Sequence, residues 1–249
     1  MHELRGKTLL LTGASMGIGR AVAVALAREG VNLVLNARSR NQLLQTRQMC
    51  AAADARAEYV AGDASKTSTV AAMLKKAESL GSLFGFIHAA GVLHPGPYLW
   101  ELTKHDFTQV FQANVIAAFQ LIRACAPLFL QQKKGLAVFF GSGAAEKTQP
   151  GIAAYCAAKA AEEHLARQLA AEAPQITALV YRPGVVETRM QAQARESQGG
   201  GAIQLRKVFT AWKDQDLLMT PEESAAGLLQ LLSRDLRALH GRTWDARDL

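Results

Sequence analysis

Tyr155 and Lys159 stand four residues apart in the run Tyr155-Cys156-Ala157-Ala158-Lys159, inside an alanine-rich stretch. On a helix that spacing puts a phenol and an ammonium on one face, one turn apart. An ammonium beside a phenol favours the phenolate and draws its pKa from about 10 toward neutrality. Such a phenol can trade a proton with a carbonyl or an alcohol near neutral pH. Of the four tyrosines, Tyr155 alone has a lysine four residues on.

A place for an anion lies near the start of the chain. Lys7 to Thr12 is a short apolar run that reads as a buried parallel strand. It runs into Gly13-Ala14-Ser15-Met16-Gly17-Ile18-Gly19. An apolar helical pattern follows from Arg20 to Glu29 and is closed by Gly30. In the order strand, glycine turn, helix, backbone N–H groups can approach a pyrophosphate and the helix start favours its charge.

With Thr12 before it, the Gly-x-x-x-Gly-x-Gly spacing resembles the cofactor motif of the short-chain dehydrogenase/reductase family, with Thr12, Gly13, Gly17 and Gly19 in register. The resemblance runs from Lys7 to about Trp244. It implies a Rossmann-like, doubly wound α/β fold, a nicotinamide cofactor and hydride transfer between that cofactor and a carbonyl or alcohol. It also implies a catalytic set. Asn114 lies in Gln112-Ala113-Asn114-Val115, and Ser142 lies in Phe140-Gly141-Ser142-Gly143, thirteen residues before Tyr155. By resemblance, Ser142 polarises the substrate oxygen, Tyr155 is the acid/base, Lys159 holds the ribose and lowers the phenol pKa, and Asn114 kinks its helix and holds a water joined to Lys159.

The same resemblance distributes the cofactor contacts. The turn contributes Gly13, Ser15, Met16, Gly17, Ile18 and Gly19, and Asp63 with Ala64 follows the third strand at the adenine end. His88-Ala89-Ala90-Gly91 matches the family's Asn-Asn-Ala-Gly with two departures; Ala90 and Gly91 let the backbone pass near the ribose, and His88 is expected beside the cofactor. Pro183-Gly184-Val185-Val186-Glu187-Thr188 resembles the segment that receives the nicotinamide carboxamide, through Val186 and Thr188.

The second strand bears on which cofactor. An acid at its end would bind the ribose hydroxyls of NAD. Here that position is Ala37, followed by Arg38 and Ser39. A guanidinium with no carboxylate beside it favours a 2′-phosphate, hence NADP(H).

The elements that must position these groups alternate along the chain. Strands are expected at Val31–Ala37, Glu58–Ala61, Phe84–Ala89, Leu136–Phe140, Ile176–Tyr181 and Thr243–Asp245. Helices are expected at Ser39–Ala53, Lys66–Leu80, Thr103–Gln132 and Ile152–Ala171, and Thr220-Pro221-Glu222-Glu223 is a helix start. This alternation implies a parallel sheet covered on both faces. One domain over residues 1–249 is expected, with no repeat or linker. Residues 189–217 carry mixed charge and Gly199-Gly200-Gly201; the resemblance makes them a substrate lid, with the glycines as a hinge. Phe209, Trp212, His94, Tyr98 and Trp100 are open between pocket and packing, and Asp245 between substrate anchor and strand cap.

Composition narrows the partners. The formal charge of +7 is dispersed, without basic runs or interleaved aromatics, so nucleic acid is not expected. No stretch is expected to span a membrane, and the first strand begins too early to leave room for a signal peptide. The three cysteines, Cys50, Cys125 and Cys156, have no metal-ligand spacing and read as reduced thiols in a cytoplasmic protein. The resemblance implies a homodimer or homotetramer through the helices around Asn114–Leu130 and Ile152–Leu169. Reduction of a small ketone or diketone by NADPH is the expected activity, leaning toward the sepiapterin and benzil reductase branch. A 3-oxoacyl thioester reductase, an NAD-linked alcohol dehydrogenase and a non-catalytic NADP(H)-binding regulator of the same fold stay open.

Overall fold

The computed structural model describes residues 1–51 and 55–249. A seven-stranded sheet runs in the order β3-β2-β1-β4-β5-β6-β7. The strands are β1 Thr8–Thr12, β2 Asn32–Ala37, β3 Ala57–Ala61, β4 Leu83–His88, β5 Gly135–Phe140, β6 Ile176–Arg182 and β7 Thr243–Asp245. Every pairing is parallel. The order reverses between β1 and β4, which opens a crevice at the C-terminal ends of the strands.

The sequence dictates this sandwich through strands that are apolar on both sides. Leu9 and Leu11 of β1 face one core with Leu33, Leu35 and Val138, while Leu10 faces the other with Val34, Phe86 and Ala137. The first core is covered by α1 (Gly17–Arg28) and α9 (Pro221–Leu232). The second is covered by α3 (Thr67–Glu78), α5 (Ala117–Gln131) and α6 (Ala153–Glu172). Helix α2 (Arg40–Ala51) packs beside β3; the end of the helix expected to reach Ala53 lies outside the described residues. At the helix start expected at Thr220, Thr220 and Glu223 form a reciprocal capping box that opens α9.

The long helix expected from Thr103 to Gln132 is three pieces: α4 Lys104–Phe111, a π-helical turn Gln112–Ile116, and α5. The cause is Asn114. Its Nδ2 donates to the Val110 carbonyl at 2.8 Å, taking the acceptor an α-helical N–H would use. Contrary to the expectation that no stretch is apolar enough, one 18-residue window within Lys104–Gln131 reaches a mean hydropathy of 1.6 and qualifies as a membrane span by length and composition alone, a test that a helix packed in a protein core also passes. Both faces of this run are apolar. Leu121, Cys125 and Phe129 pack on the sheet, whereas Phe107, Ile116, Phe119, Leu128 and Leu130 are exposed.

The segment after β6 is helical too, with α7 at Arg189–Arg195 and α8 at Ala202–Asp214. Its glycines contact the loop that precedes α4. Gly201 donates its N–H to the Gly96 carbonyl at 2.9 Å, and Gly200 donates to Glu101 at 2.9 Å. A Cβ on Gly199 would lie 2.8 Å from Pro97 Cα. The glycines are there because two backbones touch, which fastens this segment to the 94–102 loop.

Candidate active site

Strand β1 delivers its chain into a turn that only glycine can make. Gly13 has φ +71, and a Cβ there would lie 2.7 Å from the Ala89 carbonyl. A Cβ on Gly19 would strike the Gly13 carbonyl. The turn therefore folds against both β4 and its own helix. Helix α1 then starts with no side-chain cap at Met16, leaving its first N–H groups for a ligand. Arg20, which the sequence did not single out, braces the turn: its guanidinium bonds the Ser15 carbonyl and its Nε donates to Thr46 at 3.1 Å.

The turn forms one end of a groove of about 1240 Å³ across the crevice. Ser15, Met16, Gly17 and Ile18 line it with Gly13 and Gly19. Ala37, Arg38 and Ser39 line it beside the turn, where the Ala14 N–H donates to the Asn36 carbonyl at 3.1 Å, with Arg38 exposed and ready to meet an anion. Asp63 and Ala64 line it too, although one Asp63 oxygen is occupied by the Ser65 N–H at 2.9 Å. Ala90 and Gly91 form the floor, and Pro183, Gly184, Val186 and Thr188 the opposite wall. A bridge between Val186 and Met219 pins that wall. The Thr188 methyl would meet a Cβ on Gly17 at 3.4 Å, so wall and turn face each other. The glycine cradle, the uncapped helix start and the length of the groove fit an extended anionic dinucleotide.

Three of the four expected catalytic residues meet in the middle of this groove. Ser142, Tyr155 and Lys159 line it, while Asn114 is fully buried behind Gly91. The Ser142 hydroxyl accepts from Ala144 N–H at 3.2 Å, which leaves its proton to donate. Lys159 donates to the Phe140 carbonyl at 2.7 Å and lies 5.7 Å from the Tyr155 ring centre. Asn114 donates from Nδ2 to Val92 and Val110 carbonyls, and its Oδ1 has no partner. A Cβ on Gly91 would lie 3.0 Å from that oxygen and 4.0 Å from Lys159 Nζ, so Gly91 keeps open the space between them.

Two expectations are overturned here. The phenol of Tyr155 is not drawn toward neutrality. Burial pushes it above its ordinary value; Lys159 and the Ser142 hydroxyl pull it down without prevailing, and Glu162 pushes it up further. His88 does not reach the groove. It is fully buried at the end of β4, with its Nδ1 2.8 Å from the Thr12 hydroxyl. That hydroxyl also accepts from Ala90 N–H at 3.3 Å. Burial, with Lys159 nearby, pushes the His88 pKa down to about 3, so the ring is neutral.

The structure also reveals groups that sequence reasoning missed. Lys159 is hydrogen-bonded at 2.7 Å to Glu162, one turn on and wholly buried. Glu163 accepts the Ser142 backbone N–H at 3.1 Å and is bound by Arg182 of β6. Two adjacent acids on the face of Lys159, in a helix otherwise rich in alanine, were the available signal.

Around Tyr155, an apolar wall is built by Leu93, Ile152, Met190, Phe209 and Trp212. Phe209 and Trp212 thus serve both packing and groove. His94 also lines the groove, held by Gln109 at 2.9 Å. Tyr98 and Trp100 stack on each other away from it. Asp245 reaches the rim, but its carboxylate caps the last turn and binds the Arg247 guanidinium at 2.8 and 2.7 Å.

Residues 7–199 match the family model described as short chain dehydrogenase. The chain is 31% identical over 242 residues to a benzil reductase ((S)-benzoin forming) of Saccharomyces cerevisiae, covering 93% of this chain and 92% of that one. It is 31% identical over 207 residues to an NADPH-dependent pterin aldehyde reductase of Arabidopsis thaliana, covering 83% and 84%. The crystal structure of the short-chain dehydrogenase/reductase YIR035C from Saccharomyces cerevisiae superposes with a TM-score of 0.86 at 26% identity, over 97% of this chain and 96% of that one. The glycine turn, the strand order and the match over most of its length agree: this chain belongs to the short-chain dehydrogenase/reductase family of oxidoreductases.

Proposed function

We propose that the protein is an NADPH-dependent reductase of small ketones or diketones. The observation that carries this is the meeting of Ser142, Tyr155 and Lys159 in the same groove as the uncapped glycine turn. A reduced nicotinamide held against Pro183–Thr188 would supply the hydride. The Ser142 hydroxyl donates to the substrate oxygen and polarises the C=O bond. Tyr155 gives that oxygen its proton. Lys159 holds the ribose hydroxyls and stabilises the phenolate left behind. Asn114 Oδ1 and the space beside Gly91 suit a water that returns a proton toward Lys159.

Arg38, at the end of β2 where no acid stands, supports the choice of NADPH over NADH. The NADPH-dependent Arabidopsis relative is in keeping with it. The apolar wall of Leu93, Ile152, Met190, Phe209 and Trp212 favours apolar or aromatic groups flanking the carbonyl, as the name of the yeast relative suggests. The exposed side chains of α4 and α5 favour a two-fold homodimer built on these helices and α6, which light scattering tests. The activity itself is tested by following NADPH absorbance with ketones, diketones, acyl thioesters and pterin aldehydes. Tight NADPH binding without turnover of any of them would turn the reading to a regulatory nucleotide-binding protein.

A further inference from the structure

Glu162 is a carboxylate in a place where an apolar side chain would pack more easily. It is fully buried on α6, and its Oε2 accepts from the Lys159 ammonium at 2.7 Å. Its Oε1 is buried without a hydrogen-bond partner and lies 3.9 Å from His88 Nε2, which is equally unpartnered. A buried ion pair with one bare oxygen is poor as a stabilising device, since the desolvation is incompletely offset.

Its effect on the phenol is electrostatic. A lone ammonium beside Tyr155 would favour the phenolate strongly in this low-dielectric setting. With a carboxylate 2.7 Å away, the ammonium becomes one end of a dipole, and its pull on the phenol is partly cancelled. Among the described residues, no other charge near Glu162 takes over this part. His88 of β4 is neutral. On α6 itself, Glu163 is bound to Arg182 of β6, and Arg167 stands 3.9 Å from Glu163. Lys159 and Tyr155 complete the charged and titratable groups around it.

We propose that Glu162 is a positioning residue that holds Lys159 against the end of β5 and cancels part of its charge, so that the Tyr155 phenol ionises less readily than beside a lone ammonium. The site is thereby biased toward giving a proton to a carbonyl over taking one from an alcohol. The proposal rests on Tyr155 being the proton donor. Burial pushes the Glu162 pKa up to about 7 against the pull of Lys159, so the cancelling charge is present above neutrality and fades below it.

The test is a tyrosinate titration by ultraviolet absorbance on the full cofactor-free chain. A Tyr155→Phe sample identifies the share of Tyr155 among the four tyrosines. Glu162→Gln keeps the shape and removes the charge; the Tyr155 midpoint should fall by about one pH unit or more, a tenfold gain in phenolate. Glu162→Asp, which keeps the charge, should bring it back toward wild type. An unchanged or raised midpoint in Glu162→Gln overturns the proposal. If that variant does not fold, carbon-13 resonances of the Tyr155 ring and the Glu162 carboxyl in the wild-type chain decide. A shared inflection supports the coupling, and its absence overturns it. Retained turnover in Tyr155→Phe would instead sink the proton-donor reading, a separate failure from an unmoved midpoint.

Discussion

Arg182 at the end of β6 clasps Glu163 of α6 through two hydrogen bonds, Nε to Oε1 at 2.9 Å and the terminal nitrogen to Oε2 at 2.7 Å. Glu163 Oε1 also accepts the Ser142 backbone N–H. One buried carboxylate thus ties the strand bearing the groove wall, the loop bearing Ser142 and the helix bearing Tyr155. Truncating Glu163 removes these bonds but leaves Arg182 paired with Glu146 at 2.7 Å, so the cost falls below the about 3–5 kcal/mol of a fully stranded buried charge. Glu163→Ala should lower stability measurably in denaturant titration and reduce turnover in the folded fraction. A variant as stable as wild type would show that the clasp does not join these elements.

Tyr155→Phe should abolish carbonyl reduction and leave NADPH affinity within a few-fold of wild type. The phenol is the group proposed to give the proton, while the residues expected to hold the cofactor line the groove along its length. Turnover and fluorescence titration of NADPH check the two halves independently.

Arg38→Asp should weaken NADPH far more than NADH, because it replaces an exposed cation at the end of β2 with the acid that ribose hydroxyls accept. A shift of tenfold or more in the ratio of the two dissociation constants is expected. Equal losses for both cofactors would reject a phosphate contact at this position.

His88 and Glu162 should give opposite pH dependences of stability. The folded pKa of His88 is depressed from 6.5 to about 3, so its contribution is present above 6.5 and is lost as pH falls toward 3. The folded pKa of Glu162 is raised from 4.5 to about 7, so its contribution is present below 4.5 and is lost as pH rises through 7. Between 4.5 and 6.5 the two slopes offset each other in the wild-type chain. Relative to wild type, His88→Asn should gain stability as pH falls through that window, and Glu162→Gln should gain as it rises, each by at most about 1.4 kcal/mol per pH unit. Parallel curves for all three proteins would contradict the buried neutral state of His88.

Gly19→Ala should abolish cofactor binding or folding, because the added methyl strikes the Gly13 carbonyl. Gly143→Ala, where a Cβ meets nothing within 4 Å, is the matched control and should be tolerated in the same assays.

The sheet was legible because its signals are local. Strands such as Leu9-Leu10-Leu11 are apolar on both faces, and Gly30 and the Thr220–Glu223 box mark helix ends with their own chemistry. Strand and helix bounds differ from expectation by up to three residues, most at the start of α1, where element ends carry no strong signal. The π-turn was less visible. Asn114 was recognised as a polar residue in an apolar helix, but a single amide taking the Val110 carbonyl decides the local winding, and composition does not record that.

For the site, the chain alone determined which residues could meet: glycines at a fixed spacing, a serine after a strand, a tyrosine and lysine one helical turn apart. Each of these depends on neighbours a few positions away. What the tertiary structure alone decided is how those residues are charged. The His88 side chain is buried at the end of β4 and does not line the groove; Glu162 faces Lys159; and the Tyr155 phenol is held above its ordinary pKa. Ionisation depends on burial and on every charge within a few ångströms, whatever its distance along the chain. That sum exists only once β4, β5 and α6 have packed together.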